Sequence, residues 1–239
     1  MRIYGINPVL EALGAKRVTA VRVSPRADDR LTAIVRLSGE QGLPVRRAKA
    51  GELDRFAQGG AHQGVVADAH DNEGVSVEDL VAGARSAPLI VVLDPIEDPH
   101  NVGAILRTVD AAGADGVVRQ SRHAARLDGA AAKASAGALT HVKIAEVVNI
   151  ARALETLKDA GVWTVGLAGD ARKRYDEVDF TLPTALVVGA EGTGLRRLVR
   201  ERCDWLVSIP MQGHVESLNV SVATGIALFE ALRQRARKQ

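Results

Sequence analysis

The sequence predicts an α/β protein made of a small N-terminal unit and a larger C-terminal unit built on a parallel sheet. Three observations carry this. Beyond residue 88, apolar runs of five to seven residues alternate with stretches of helical period, the pattern of strands buried on both faces beneath covering helices. Before residue 70, shorter strand-like and helix-like segments follow one another. Between them, His70 to Pro88 turns polar and small, with Asp71, Asn72, Glu73, Gly74, Ser76 and Ser86 around one weak helix, and reads as a linker. The expected organisation is a domain at 1–70, a linker at 71–87 and a second domain at 88–239.

In the first unit, Asn7-Pro8 ahead of Val9, Leu10, Ala12 and Leu13 reads as an N-cap, a proline at the first helical position and an apolar stripe. The chain is thus expected to open with a short helix. A strand at Thr19–Val23, a helix at Asp29–Gly39, a short strand at Pro44-Val45, a helix at Gly51–Phe56 and a strand over Gln63–Ala67 complete the unit. In the second, strands are expected at Leu89–Leu93, Gly116–Arg119, Val142–Val147, Trp163–Leu167, Ala185–Gly189 and Trp205–Ile209. Helices fall between them at Val102–Ala112, Asp128–Ala138, Asn149–Ala160 and Gly194–Arg200, with a last one at Ser217–Arg237. In that last helix Val222, Ile226 and Phe229 share one face at i, i+4 and i+7, while Arg233, Gln234, Arg235, Arg237 and Lys238 are polar.

Composition narrows the function. The chain has 239 residues, 46% hydrophobic and 25% charged, which excludes a disordered or fibrous protein. Its longest unbroken apolar stretch, Ala87–Leu93, is far below the roughly 18 residues of a membrane span. The start, Met1 to Pro8, lacks the apolar core of a signal peptide, and Cys203 is the only cysteine, so neither secretion nor disulfides are expected and a reducing cytosol is. Residues 1–70 carry eleven basic and seven acidic side chains, net +4, against −2 for the rest. Of the 31 cations 24 are Arg, whose planar fork suits phosphate contacts, although codon bias could also enrich it. RNA is a candidate partner, but seven aromatic residues are too few for a base-stacking platform.

Ligands of parallel sheets bind at the carboxyl ends of strands, where three unusual loops fall. The first runs from Asp94 to Thr108 and holds Asn101, which reads either as a helix cap or as a polar group facing a substrate, and Arg107, which lies off the apolar stripe of Val102, Ile105, Leu106 and Val109. The second is Gly189-Ala190-Glu191-Gly192-Thr193-Gly194, a strand-to-helix turn whose glycines allow positive φ and close backbone approach. A dinucleotide site would want an acidic residue at the end of the next strand, which here reads Val207-Ser208-Ile209-Pro210-Met211, and Glu191 would repel a pyrophosphate. The pattern argues against NAD and an oxidoreductase. In the third loop, Ile209–Ser221, the residues Ser217, Asn219 and Ser221 crowd a helix start where capping needs only one. His214 and Glu216 have no second cluster of ligands beside them, so no metal site is expected.

In order and spacing, Asn101 with Arg107, Gly189-Ala190-Glu191-Gly192 with Gly194, and Ile209-Pro210-Met211 through Ser217-Leu218-Asn219-Val220-Ser221 resemble the three motifs of the SpoU/TrmH family of RNA ribose 2′-O-methyltransferases, in the SPOUT superfamily. Tyr4–Leu13 and His62-Gln63-Gly64-Val65 resemble that family's substrate-binding domain, so the likeness covers nearly the whole chain. It is greatest, especially over Ser217–Arg233, to members that methylate a guanosine of 23S rRNA. The resemblance implies a C-terminal trefoil knot holding S-adenosylmethionine, a homodimer with active sites near its interface, and an L30e-like N-terminal domain that holds RNA. It implies that Arg107 serves the proton transfer or binds an RNA phosphate, that Asn101 positions the ribose, and that Glu191, Ser217 and Asn219 order the cofactor loop and target nucleotide. Cofactor contacts would come from Leu167, Ala168, Gly169, Gly189, Ile209, Met211 and Leu218, and no metal is required. One departure is that Arg119-Gln120-Ser121-Arg122-His123 stands where relatives usually carry a Pro-Lys-like segment, which alters the RNA contacts expected there. A transfer RNA methyltransferase and a non-catalytic RNA-binding protein are the alternatives. The first would more typically lack residues 1–70 or extend the C-terminus.

Overall fold

Two sheets organise the chain, in a computed structural model that describes residues 1–25, 29–70, 74–122, 124–127 and 129–237. Asp71, Asn72 and Glu73 of the expected linker, His123, Asp128 at an expected helix start, and Lys238 lie outside the described residues. The N-terminal sheet has β1 (Arg2–Tyr4), β2 (Val18–Val23), β3 (Val45–Arg47) and β4 (Val65–Ala69) in the order β1-β4-β2-β3. Its pairs with β4 are antiparallel and β2 runs parallel to β3. Helices α1 (Ile6–Gly14), α2 (Asp29–Glu40) and α3 (Ala50–Phe56) connect and cover it.

The expected opening helix is present, but a short strand precedes it and its start differs from the expectation. Gly5, at φ 94°, is the N-cap, so Asn7 and Pro8 lie inside the first turn. The signal that fixes this start is not local: Gln63 Oε1 accepts a hydrogen bond from Ile6 N at 3.1 Å, across 57 residues.

The C-terminal sheet has seven strands: β5 (Leu89–Asp94), β6 (Gly116–Gln120), β7 (Ile144–Val147), β8 (Trp163–Leu167), β9 (Lys173–Arg174), β10 (Thr184–Gly189) and β11 (Trp205–Ser208). Their order is β7-β6-β5-β10-β8-β11-β9 and every pairing is parallel. Side chains alternate between faces as the strand period requires. Leu89, Val91 and Leu93 of β5 enter the core under α5 (Pro99–Ala111) and α9 (Val220–Ala236), while Ile90 and Val92 pack beneath α4 (Val77–Ala82), α7 (Ile150–Asp159) and α8 (Arg197–Arg202). The weak helix of the expected linker is α4, started by a capping box in which Ser76 and Asp79 exchange hydrogen bonds, and Val75 beside it bridges to Ala145.

The helix expected from 128 to 138 is shorter, with α6 (Gly129–Ala134) followed by one 3-10 turn, Ala138–Thr140. These two elements meet the N-terminal unit. Arg17 Nη1 donates to Thr140 O at 3.3 Å, and His141 stands 3.6 Å from Glu11. The last helix keeps the expected face of Val222, Ile226 and Phe229 but turns it outward, since Val222 and Phe229 are about half exposed. The buried side is Val220, Thr224, Ala227, Leu228 and Ala231. No described helix is long and apolar enough to cross a membrane.

Candidate active site

Strand order, not sequence spacing, brings the three loops together. The ends of β5, β10 and β11 carry them, and β10 lies between β5 and β8 with β11 next to β8. Asp98 is the N-cap of α5, accepting from His100 N at 2.8 Å with Pro99 at the first helical position. The capping role read for Asn101 is therefore filled by Asp98, and the Asn101 side chain is released for another contact.

That contact joins all three loops. Asn219 Nδ2 donates to Asn101 Oδ1 at 2.9 Å, and both amide nitrogens donate to Glu191 Oε2 at 3.3 Å. Asn219 is itself the N-cap of α9, its Oδ1 accepting from Ser221 N at 3.0 Å and Ser221 Oγ at 2.6 Å. Three residues drawn from separate parts of the sequence thus form one hydrogen-bonded set. Glu191 Oε1 has no partner in the chain among the described residues.

Beside this set lies a cleft of about 500 Å³. Leu167, Ala168, Gly169, Gly189, Ile209, Met211 and Leu218 all line it, together with Glu191 and Ser217. The turn that shapes it depends on Gly189: a Cβ there would stand 2.2 Å from the backbone carbon of Gly194, so the loop closes on itself only with hydrogen at that position. Gly192 and Gly194 take the positive φ values, 82° and 66°.

The cleft's charges are Asp170, Glu191 and Glu216 against Arg200. Arg200 grips Asp170 through two hydrogen bonds of 2.8 and 2.9 Å, which hold the carboxyl below its usual range and the guanidinium above its own. The net surplus of carboxylate suits a cationic ligand and disfavours a phosphate. Ser217 is exposed on the rim and makes no hydrogen bond to the set among the described residues.

Arg107 stands apart, outside both the hydrogen-bonded set and the cleft lining. It is exposed on α5, six residues or about 9 Å along the axis from Asn101, with no partner in the chain among the described residues. Sequence reasoning missed a further pair. Asp94, fully buried at the end of β5, accepts from Arg196 N at 2.8 Å and Arg196 Nε at 2.6 Å, and Arg196 Nη2 reaches Gln120 Oε1 at 2.9 Å. This clamp fastens the start of the first loop to the end of the second across 102 residues, so no local pattern announced it.

The segment from Arg119 onward is anchored from within. Arg119 is buried, with Nη2 donating to Ala125 O at 2.5 Å, and burial lowers its pKa despite Glu146 at 3.7 Å. It supports the loop from inside. Among the described residues no three His, Cys, Asp or Glu side chains converge, and burial pushes the Cys203 thiol up to about 12, which keeps it protonated and unreactive.

With this geometry in view, the sequence matches the profile of the SpoU rRNA Methylase family over residues 88–229 and that of the RNA 2′-O ribose methyltransferase substrate-binding domain over residues 2–74. The chain belongs to the SpoU rRNA methylase family. It is 43% identical to the 23S rRNA (guanosine-2′-O-)-methyltransferase RlmB of Pseudomonas putida, over 100% of this chain and 98% of that protein. Among solved SpoU methyltransferases, AviRb from Streptomyces viridochromogenes in complex with the cofactor AdoMet superposes with a TM-score of 0.83 at 25% identity, covering 99% of this chain and 91% of that one. A TrmH/SpoU tRNA modifying enzyme from A. aeolicus, 36% identical with a TM-score of 0.59, covers only 68% of this chain and 83% of its own. In this family member the N-terminal unit is therefore shared with the rRNA enzyme RlmB, over whose length the match is nearly complete.

Proposed function

We propose that the chain transfers a methyl group from S-adenosylmethionine to the 2′-hydroxyl of a guanosine in 23S rRNA. The observation that carries this is the convergence of Asn101, Glu191 and Asn219 from three loops at the edge of one cleft. Full-length likeness to RlmB supports the rRNA substrate over a tRNA. The cleft fits the cofactor on its own chemistry: its volume lies in the range of small-molecule sites, apolar side chains such as Leu167, Val188 and Ile209 suit an adenine, and its carboxylate surplus suits a sulfonium cation. When bound there, the sulfonium supplies an activated methyl group and no metal is needed.

The chain's own residues then do the positioning. Glu191 and Asn219 hold the Asn101 side chain in one orientation, so its amide meets the target ribose without first having to be ordered. Arg107 has five N–H donors and no acceptor, so its role is to bind an RNA phosphate and orient the hydroxyl. The hydroxyl proton leaves to that phosphate or to water. Ser217, on the cleft rim, orders the loop over the methyl donor.

Residues 1–70, the linker at 71–87 and residues 88–239 divide the work as RNA-holding unit, connector and knotted methyltransferase. The outward stripe of Val222, Ile226 and Phe229 is the contact of a homodimer. Its helix packs on α5, where Thr108 approaches Gly225, so a second copy seated there stands next to Arg107. Phe229→Asp is expected to convert a dimer to a monomer in sedimentation equilibrium and to remove activity, whereas an unchanged mass rejects this interface.

The decisive experiment is transfer of labelled methyl from S-adenosylmethionine to total RNA from cells lacking the gene, with the product mapped by fraction and nucleotide. Label on a guanosine ribose of 23S rRNA is the expected result. Label on tRNA would replace the substrate, and no label on any RNA would reject the activity.

A further inference from the structure

We propose that a groove at the carboxyl ends of β6 and β7, walled by α8, holds a nucleotide of the RNA strand that flanks the target ribose. The inference rests on the methyltransferase reading above. The groove has a volume of about 410 Å³, and its charged lining consists of Arg196 and Arg197, with no carboxylate. Two aliphatic side chains also line it, Val148 at 76% exposure and Leu198 at 54%. Their neighbours Val147 and Val199 pack into the core, so neither exposed residue is needed to complete it.

The groove adjoins the active site through one residue. Arg196 clamps buried Asp94 with its backbone N and Nε, and its Nη2 reaches Gln120 on the groove wall. The side chain that closes the Glu191 loop onto β5 is therefore also the partition between site and groove. A strand whose target ribose lies at Asn101 would continue past this partition.

The lining matches a nucleotide group by group. Among the described residues Arg197 pairs only with Glu201, 2.8 Å away one helical turn on, and both side chains are exposed. Such a surface pair contributes ~0–1 kcal/mol, so a phosphate displaces Glu201 at little cost. Gln120 and Asn149 each use the amide oxygen within the chain, accepting from Arg196 Nη2 and Arg152 N, which leaves both NH2 groups to donate to base oxygens and nitrogens. Val148 and Leu198 offer an apolar surface to the face of a base. Arg196 is spent on Asp94, so the cation offered to a phosphate is Arg197, whose exposed partner Glu201 is readily displaced.

The test uses the full-length protein, a 23S rRNA transcript, and the variants Arg197→Gln and Leu198→Asp, neither of which touches the cleft or the Asn101–Glu191–Asn219 set. Filter binding with S-adenosylhomocysteine present, repeated across salt concentrations, is read beside steady-state methyl transfer and thermal unfolding. Leu198→Asp is expected to weaken RNA binding and raise KM for RNA about tenfold, with kcat at saturating RNA and affinity for S-adenosylmethionine unchanged. Arg197→Gln should lower the log–log salt slope by about 0.7 to 0.9, the loss of one phosphate contact. Wild-type RNA affinity and slope in both variants would overturn the proposal, as would a change in oligomeric mass for Leu198→Asp with RNA affinity intact, which would assign the apolar pair to a protein contact. If the wild-type chain neither binds nor methylates the transcript, the functional reading itself has failed and the groove assignment falls with it.

Discussion

The two ends of the seven-stranded sheet use the same residue types for opposite purposes. At the amino-terminal end, Asp115 accepts from Leu89 N at 2.8 Å, Asp204 accepts from Thr164 N and Thr164 Oγ1 at 2.8 Å each, and Lys158 stands 2.8 Å from the same carboxylate. Arg235 donates to the carbonyls of Ala87, Pro88, Phe180 and Leu182 at 2.6 to 3.1 Å. These side chains are bound to the chain's own backbone or to one another. At the carboxyl end, Asn101, Glu191 and Asn219 hold one another while Glu191 Oε1 and the whole guanidinium of Arg107 keep their capacity unspent among the described residues. The difference separates groups that hold the fold from groups that wait for a ligand, a distinction neither charge nor burial alone would draw.

Substitution at each end should therefore fail differently. Arg107→Ala is expected to lower the methyl-transfer rate on the order of 10³-fold, or ~4 kcal/mol of transition-state stabilisation, without moving the melting temperature. Single-turnover transfer beside thermal unfolding measures both, and an undiminished rate would make Arg107 a solvated surface cation. Arg235→Ala should do the reverse. Four carbonyls lose a half-buried cationic donor, so stability falls by about 3 kcal/mol while the folded fraction at 25 °C keeps its rate and its cofactor affinity. Urea unfolding checks this, and a rate that fell with the stability would erase the contrast between the two ends.

Much of the fold was legible because its signals are local. The continuous apolar runs at Leu89–Leu93 and Ala185–Val188 gave their strands, since only a strand buried on both faces needs them. Strands of two or three residues, Lys173–Arg174 and Arg2–Tyr4, are too short to carry a period and were missed. Helix starts failed where two caps competed: Asp98 with Pro99 outranks Asn101, and the start after Gly5 is set by the bond from Ile6 N to Gln63, 57 residues on. The site residues could be named from motif resemblance, but their meeting depends on strand order. The Asp94–Arg196 clamp could not be named at all, because its partners lie 102 residues apart and no local pattern links them. Arg235 illustrates the same limit: on a helical wheel it belongs to a polar face, and only the fold brings Phe180, Leu182 and Ala87 beneath it.

The smallest expected effect tests whether the amino-terminal end is held by charge or merely by hydrogen bonds. Burial by itself would raise the pKa of Asp204, but the hydrogen bonds from Lys158 and Thr164 outweigh it and hold the carboxyl below its usual range. A carboxyl whose folded pKa lies below its unfolded value near ~3.9 stabilises fully above that unfolded value, and loses the contribution as pH falls through the folded pKa. Asp204→Asn keeps the shape and one acceptor oxygen for Thr164 while removing the charge seen by Lys158. It should cost about 1 kcal/mol at pH 7, a modest figure because the ion pair is partly exposed. That difference should be constant from pH 7 down to about 5 and shrink below pH 4, as the wild-type carboxyl is protonated. Denaturant unfolding of both proteins across this range measures it. A difference that persisted unchanged at pH 3 would show that Thr164 is held by shape and neutral hydrogen bonding, with Lys158 contributing nothing.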